Sequence, residues 1–106
     1  MQLVERTILG FLIEEAAKLG YAPSMIETHP GEHEPDEVRK NPTLAECIEH
    51  IDAWDAYAVL HFRKAYTRAR QWFFLVPGNG EDLVSDYGAH PDADAIVKAV
   101  QARIEG

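Results

Sequence analysis

His29 and His33 stand four residues apart, with Glu32 and Glu34 beside them, in the run His29-Pro30-Gly31-Glu32-His33-Glu34-Pro35-Asp36. Imidazoles and carboxylates at such close range are the donors of a zinc site, which needs three or four of them converging on a rigid scaffold. Two prolines and a glycine supply no such scaffold, and no second ligand pair stands at a recognisable spacing elsewhere. The segment reads as a solvated acidic loop. Asp82 and Asp86 are the nearest thing to a carboxylate pair for acid–base work. On one extended strand they share a face, but their Cα atoms are then roughly 13 Å apart, too far to serve one small centre. Each is expected to bond local backbone instead. Gly78-Asn79-Gly80 lacks the Lys-Ser/Thr that completes a phosphate loop. Ser85 has no nucleophile-elbow context, and Cys47 sits in a helical stripe away from any histidine-bearing motif. His50, His61 and His90 are scattered singly. No catalytic, cofactor-binding or metal-ligating residue is assigned, no cofactor is expected, and the chain reads as a non-enzyme.

The stretch with the clearest capacity to bind is basic. Arg63, Lys64, Arg68 and Arg70 surround Tyr66, and cations interleaved with an aromatic ring can hold phosphates and stack a base. Against this stands a formal net charge of −8, which argues against nonspecific nucleic-acid binding, because phosphate contact needs a net basic face. The acids are concentrated: nine lie between Glu27 and Asp55, opposed there only by Arg39 and Lys40. Such a surface serves solubility and also suits a partner with a basic surface.

The elements that must carry these residues follow from periodicity. Val4, Ile8, Phe11, Leu12, Ala16 and Leu19 recur at helical spacing over Gln2–Leu19, with Glu5, Glu14, Glu15 and Lys18 falling largely on the water side. Gly20 supplies the left-handed residue that ends such a helix. Tyr21–Thr28 is a short candidate strand, in which Pro23, unable to donate to a ladder, belongs at the strand start or at a sheet edge. Residues 29–41 read as a mobile acidic loop. Thr43 and Glu46 have capping-box spacing ahead of the stripe Leu44, Cys47, Ile48, Ile51, Trp54. Strands are expected over Ala56–Arg63, Gln71–Val76 and Asp82–Tyr87, the last two joined by the Gly78–Glu81 turn. A closing helix, capped by Asp92, carries Ile96, Val97, Val100 and Ile104. One domain over residues 1–106 is expected. It is an α+β fold: three helices on a three-stranded antiparallel meander, the Trp72 strand in the middle, with room for a fourth edge strand. That middle strand is apolar on both faces. Either the helices split between the faces, or one face meets a second copy through Phe73 and Leu75 in a homodimer.

His61-Phe62-Arg63-Lys64, followed by the segment from Trp72 through Gly78-Asn79-Gly80 to Asp86-Tyr87, resembles a group of small bacteriophage and prophage proteins. The resemblance implies a mobile-element origin and brings no activity or site residues. On that footing the chain is expected to be a protein-interaction module that binds or inhibits a host or phage protein. Glu32, Glu34, Asp36, Glu37, Glu46, Glu49 and Asp52 would form its acidic contact surface. The alternatives are a homo-oligomeric accessory component and an enzyme or small-ligand binder whose site leaves no trace in sequence. No apolar run reaches the ~20 residues of a membrane span, the opening residues do not read as a secretory leader, and the lone Cys47 fits a reducing compartment. The cytoplasm is the expected location.

Overall fold

A computed structural model describes residues 1–29, 37–54 and 56–106. Along the chain run α1 (Leu3–Lys18), β1 (Tyr21–His29), β2 (Glu37–Lys40), α2 (Leu44–Trp54), β3 (Tyr57–Lys64), β4 (Arg70–Leu75), a 3-10 turn (Gly80–Asp82), β5 (Val84–Tyr87) and α3 (Pro91–Glu105). The five strands form one antiparallel sheet in the order β2-β1-β3-β4-β5. This is an α+β fold, and β3-β4-β5 is the expected meander with β4 in its middle.

The placement of β1 and β2 differs from expectation. β1 is no edge strand: it lies between β2 and β3. Pro23 is tolerated there because the register with β3 shifts between Pro23 and Met25, a bulge at which the ladder is already interrupted. Glu37–Lys40, assigned from sequence to the acidic loop, forms β2, paired with β1 from Met25↔Lys40 to Thr28↔Glu37. Four residues with charges on both faces carry no readable period, so only the neighbouring strand reveals them. The remainder of the expected loop, residues 30–36, lies outside the described residues.

The helices are set by local chemistry. α2 opens with the expected capping box: the Thr43 N–H donates to Glu46 Oε1 at 3.2 Å, and Thr43 Oγ1 accepts from the Glu46 N–H at 3.2 Å. α3 is capped by His90 rather than Asp92, since His90 Nδ1 accepts from the Asp92 N–H at 3.0 Å and Pro91 occupies the first turn. α1 ends as predicted at Gly20, whose φ is +89°. Its buried face, however, is rotated from the predicted stripe: Val4 and Leu19 are exposed, whereas Glu5 and Glu15 are buried beside Ile8, Leu9, Leu12 and Ala16. Both carboxylates are compensated. Lys18 Nζ lies 3.0 Å from Glu15 Oε1 and 2.7 Å from Oε2. Glu5 Oε1 accepts the Gln2 N–H at 3.0 Å, and Oε2 accepts the N–H groups of Gly78 at 2.7 Å and Gly80 at 3.2 Å. Those two glycines have φ of +102° and +61°, which lets both of their N–H groups turn toward one anion. The β4–β5 connection is thereby docked onto the start of α1.

The core lies on one side of the sheet. Ile26, Ala58, Leu60, Phe62, Phe73 and Leu75 point to the helices and are completely buried. Phe62 and Phe73 meet edge-to-face with ring centroids 5.5 Å apart. From α2 come Cys47 and Ile51, and from α3 Ala93, Ile96, Val97 and Val100.

Glu5→Ala leaves two turn N–H groups without their acceptor and is expected to destabilise the domain by about 3 kcal/mol. Glu14→Ala breaks only the exposed Arg103–Glu14 pair across the helix surface and should cost under about 1 kcal/mol. Urea unfolding of the two variants side by side checks the difference; equal midpoints would show that Glu5 does not hold the turn.

Candidate functional site

Because strands alternate side chains between faces, burying one face of the sheet leaves the other to be accounted for. Cross-strand register orders it into rows. Lys40, Met25, His61 and Trp72 form one row; Val38, Glu27, Val59, Phe74 and Asp86 form the next. Arg63 and Arg70 face each other at one end, and Tyr57 stands toward the other. None of these side chains is fully buried: Tyr57 is 55% exposed, Val38 46% and Trp72 38%. The apolar part is continuous, since the Tyr57 and Phe74 rings lie 5.7 Å apart. The Trp72 indole lies beside Gly88, where a Cβ would come within 3.1 Å of its nitrogen. At the centre Glu27 Oε2 lies 2.8 Å from His61 Nε2.

The end of this face beside the β3–β4 turn is a hollow of about 480 Å³ lined by Ser24, Met25, Lys40, Asn41, His61, Arg63 and Arg70. Tyr66 projects from the turn with its side chain fully in solvent and its backbone at φ +62°. Lys64 lies with its ammonium 5.8 Å from the Tyr21 ring centroid.

The residues singled out from sequence are distributed as follows. Phe73 and Leu75 do not reach the open face: both belong to the core under the helices, so they cannot carry a homodimer contact in this fold. The apolar residues on the open side of β4 are Trp72 and Phe74. Of the acids, Glu32, Glu34 and Asp36 lie outside the described residues. Glu37 starts β2. Glu46 pairs with Arg39, and its carboxyl is held below the usual range, first by the Thr43 N–H. Asp52 pairs with Arg6 at 3.1 Å and with the terminal amine. Glu49 is exposed. Intramolecular ion pairs thus tie up much of the expected acidic surface on α2.

The candidate chemical groups also resolve into structural roles. Asp82 sits in the 3-10 turn, not on a strand with Asp86, and Asp86 accepts the Tyr87 N–H at 2.8 Å. His50 Nε2 lies 3.2 Å from Thr28 Oγ1 and 3.4 Å from the Glu37 carbonyl, joining α2 to the sheet. His33 lies outside the described residues, and among those described no three His, Cys, Asp or Glu side chains converge as metal ligands. Sequence reasoning missed the cluster of Tyr21, Gln71 and Asp92. The buried Tyr21 hydroxyl donates to Asp92 Oδ2 at 2.7 Å and accepts from Gln71 Nε2 at 3.2 Å, which fastens α3 to β1 and β4. These partners are 71 and 50 residues from Tyr21 in sequence, so no local pattern connects them. No known protein family, curated protein or solved structure matches the chain.

Burial, supplemented by the Asp92 carboxylate and opposed by the Gln71 hydrogen bond, raises the Tyr21 phenol above its ordinary 10.0. A raised folded pKa means that the folded state keeps its proton after the unfolded chain has lost it. Its contribution is therefore intact below pH ~10 and declines as pH rises through the folded value. Titration at 295 nm should show one of the four tyrosines lagging, and Tyr21→Phe should remove that phase. Burial likewise pushes the Cys47 thiol up to about 12. In the native protein at pH 8 it should react with a thiol reagent orders of magnitude more slowly than in denaturant; a rate like that of a free thiol would contradict its burial.

Proposed function

We propose that this chain is a non-enzymatic interaction module that captures its partner on the uncovered face of the sheet. One observation carries the reading: the helices bury one face, while the opposite face presents Tyr57, Val59, Trp72 and Phe74 between charged ends. Contiguous apolar surface of this kind marks an interaction site more often than it occurs without purpose on a monomer. The reading moves the contact surface away from the acids of α2, whose Glu46 and Asp52 already have cationic partners. Supporting the non-enzymatic part, the buried polar groups Tyr21, Gln71, Thr28 and Glu5 each have a structural hydrogen bond.

A second copy of the chain is a specific occupant of the same face, favoured by the adjacent apolar residues Val59 and Phe74 and the Tyr57 ring beside them. Light scattering behind a sizing column distinguishes it from a different partner. A species near twice 11.9 kDa that Tyr57→Glu returns to monomer assigns the second copy, whereas a monomer leaves the face for another molecule. The reading itself requires that the face be dispensable for folding. Tyr57→Glu is expected to cost about 1 kcal/mol, chiefly the ring pair with Phe74, whereas Phe73→Glu should cost more than about 4 kcal/mol and unfold the domain. Comparable loss of stability in both variants would place Tyr57 in the core and overturn the reading.

A further inference from the structure

The ten Lys and Arg side chains divide into two groups. Arg6, Lys18, Arg39, Lys98 and Arg103 each pair with a carboxylate. Lys40, Arg63, Lys64, Arg68 and Arg70 pair with none among the described residues, and all lie at one end of the sheet, on or beside the β3–β4 turn. Five cations without a carboxylate partner among the described residues, gathered in one place, are not a general consequence of composition. Arg63 and Arg70 are moreover direct cross-strand neighbours, an arrangement that opposes pairing through like-charge repulsion. A bound anion removes that repulsion.

Resting on the reading of the uncovered face as the working surface, we propose that this end binds single-stranded nucleic acid. Phosphates engage Arg63, Arg70 and Lys40 around the 480 Å³ hollow, and an unpaired base lies against Trp72. Three observations favour this ligand over a merely acidic peptide. Two guanidinium groups stand opposite each other, suited to forked contacts with phosphate oxygens. Trp72 is the cross-strand neighbour of His61, which lines the same hollow, so an aromatic surface lies beside the phosphate-binding groups. Tyr66, fully exposed, extends the alternation of cation and ring along the turn. The carboxylates of Glu27 and Asp86 lie further along the face and repel a phosphate chain. The strand therefore crosses the basic end of the sheet rather than covering the whole face. This reconciles a local nucleic-acid site with a net charge of −8: among the described residues only Glu27, which touches His61, stands at the margin of the hollow.

The test uses the full chain with Trp54→Phe, so that Trp72 is the only tryptophan, and titrates decathymidylate at low salt. The expected result is quenching of Trp72, with the logarithm of affinity falling against the logarithm of salt at a slope of about −2 to −3.5, as three to five phosphate contacts require. Arg63→Glu and Arg70→Glu together should abolish quenching. The single Arg70→Glu variant should melt no lower than the parent, since it relieves the like-charge pair. Lys98→Glu, half the charge change of the double variant and placed on α3, should leave affinity within twofold. Absence of quenching, or equal affinity in the Arg63/Arg70 and Lys98 variants, overturns the proposal. So does decaglutamate competing as well as the oligonucleotide, which would assign an acidic protein segment instead. A failed titration together with a dimer that Tyr57→Glu dissolves would leave the open-face reading standing and remove only this ligand.

Discussion

Packing of a single sheet face against all three helices is the constraint on which the rest of this structure depends. At its centre the edge-to-face contact of Phe62 with Phe73 ties β3 to β4 beneath the helices. Strand side chains alternate, so placing Phe73 and Leu75 in the core sends Trp72 and Phe74 to the opposite face. A slip of one residue would exchange those sets and place Gln71, now hydrogen-bonded to Tyr21, against solvent. The exposed aromatic face is therefore a geometric consequence of how the core is filled.

Polar groups fasten this arrangement at its margins. Glu5 joins the start of α1 to the turn between β4 and β5. Tyr21 and Asp92 join α3 to β1, and His50 stands between α2 and the junction of β1 with β2. Each contact satisfies groups that would be costly if buried alone. Each also consumes a side chain that might otherwise be read as catalytic. Among the described residues, the cations Lys40, Arg63 and Arg70 of the open face have no such partner.

Charge is distributed by the same logic. Glu14, Glu15, Glu46, Asp52 and Asp94 of the helices pair with cations on their own or neighbouring elements, while the cations around the β3–β4 turn find no carboxylate among the described residues. Separation of this kind makes net charge a poor guide to local binding, because screening over roughly 8–10 Å limits how far the distant acids act.

Much of the fold was legible in the residues themselves. The Thr43–Glu46 box, the Gly20 terminus, the stripe of α3 and the three-strand meander are local signals, produced by contacts between residues close in sequence, and the structure contains each of them. The rest depended on partners brought together from far along the chain. β2 is a strand only because β1 lies beside it, and β1 is internal only because β2 covers its edge. Glu5 is buried because a turn more than seventy residues away presents two N–H groups to it. The basic turn and the Trp72 strand were both visible in sequence. That they share one open face, while Phe73 and Leu75 do not, was decided by which side of the sheet the helices cover, a choice that period-two alternation alone leaves equal.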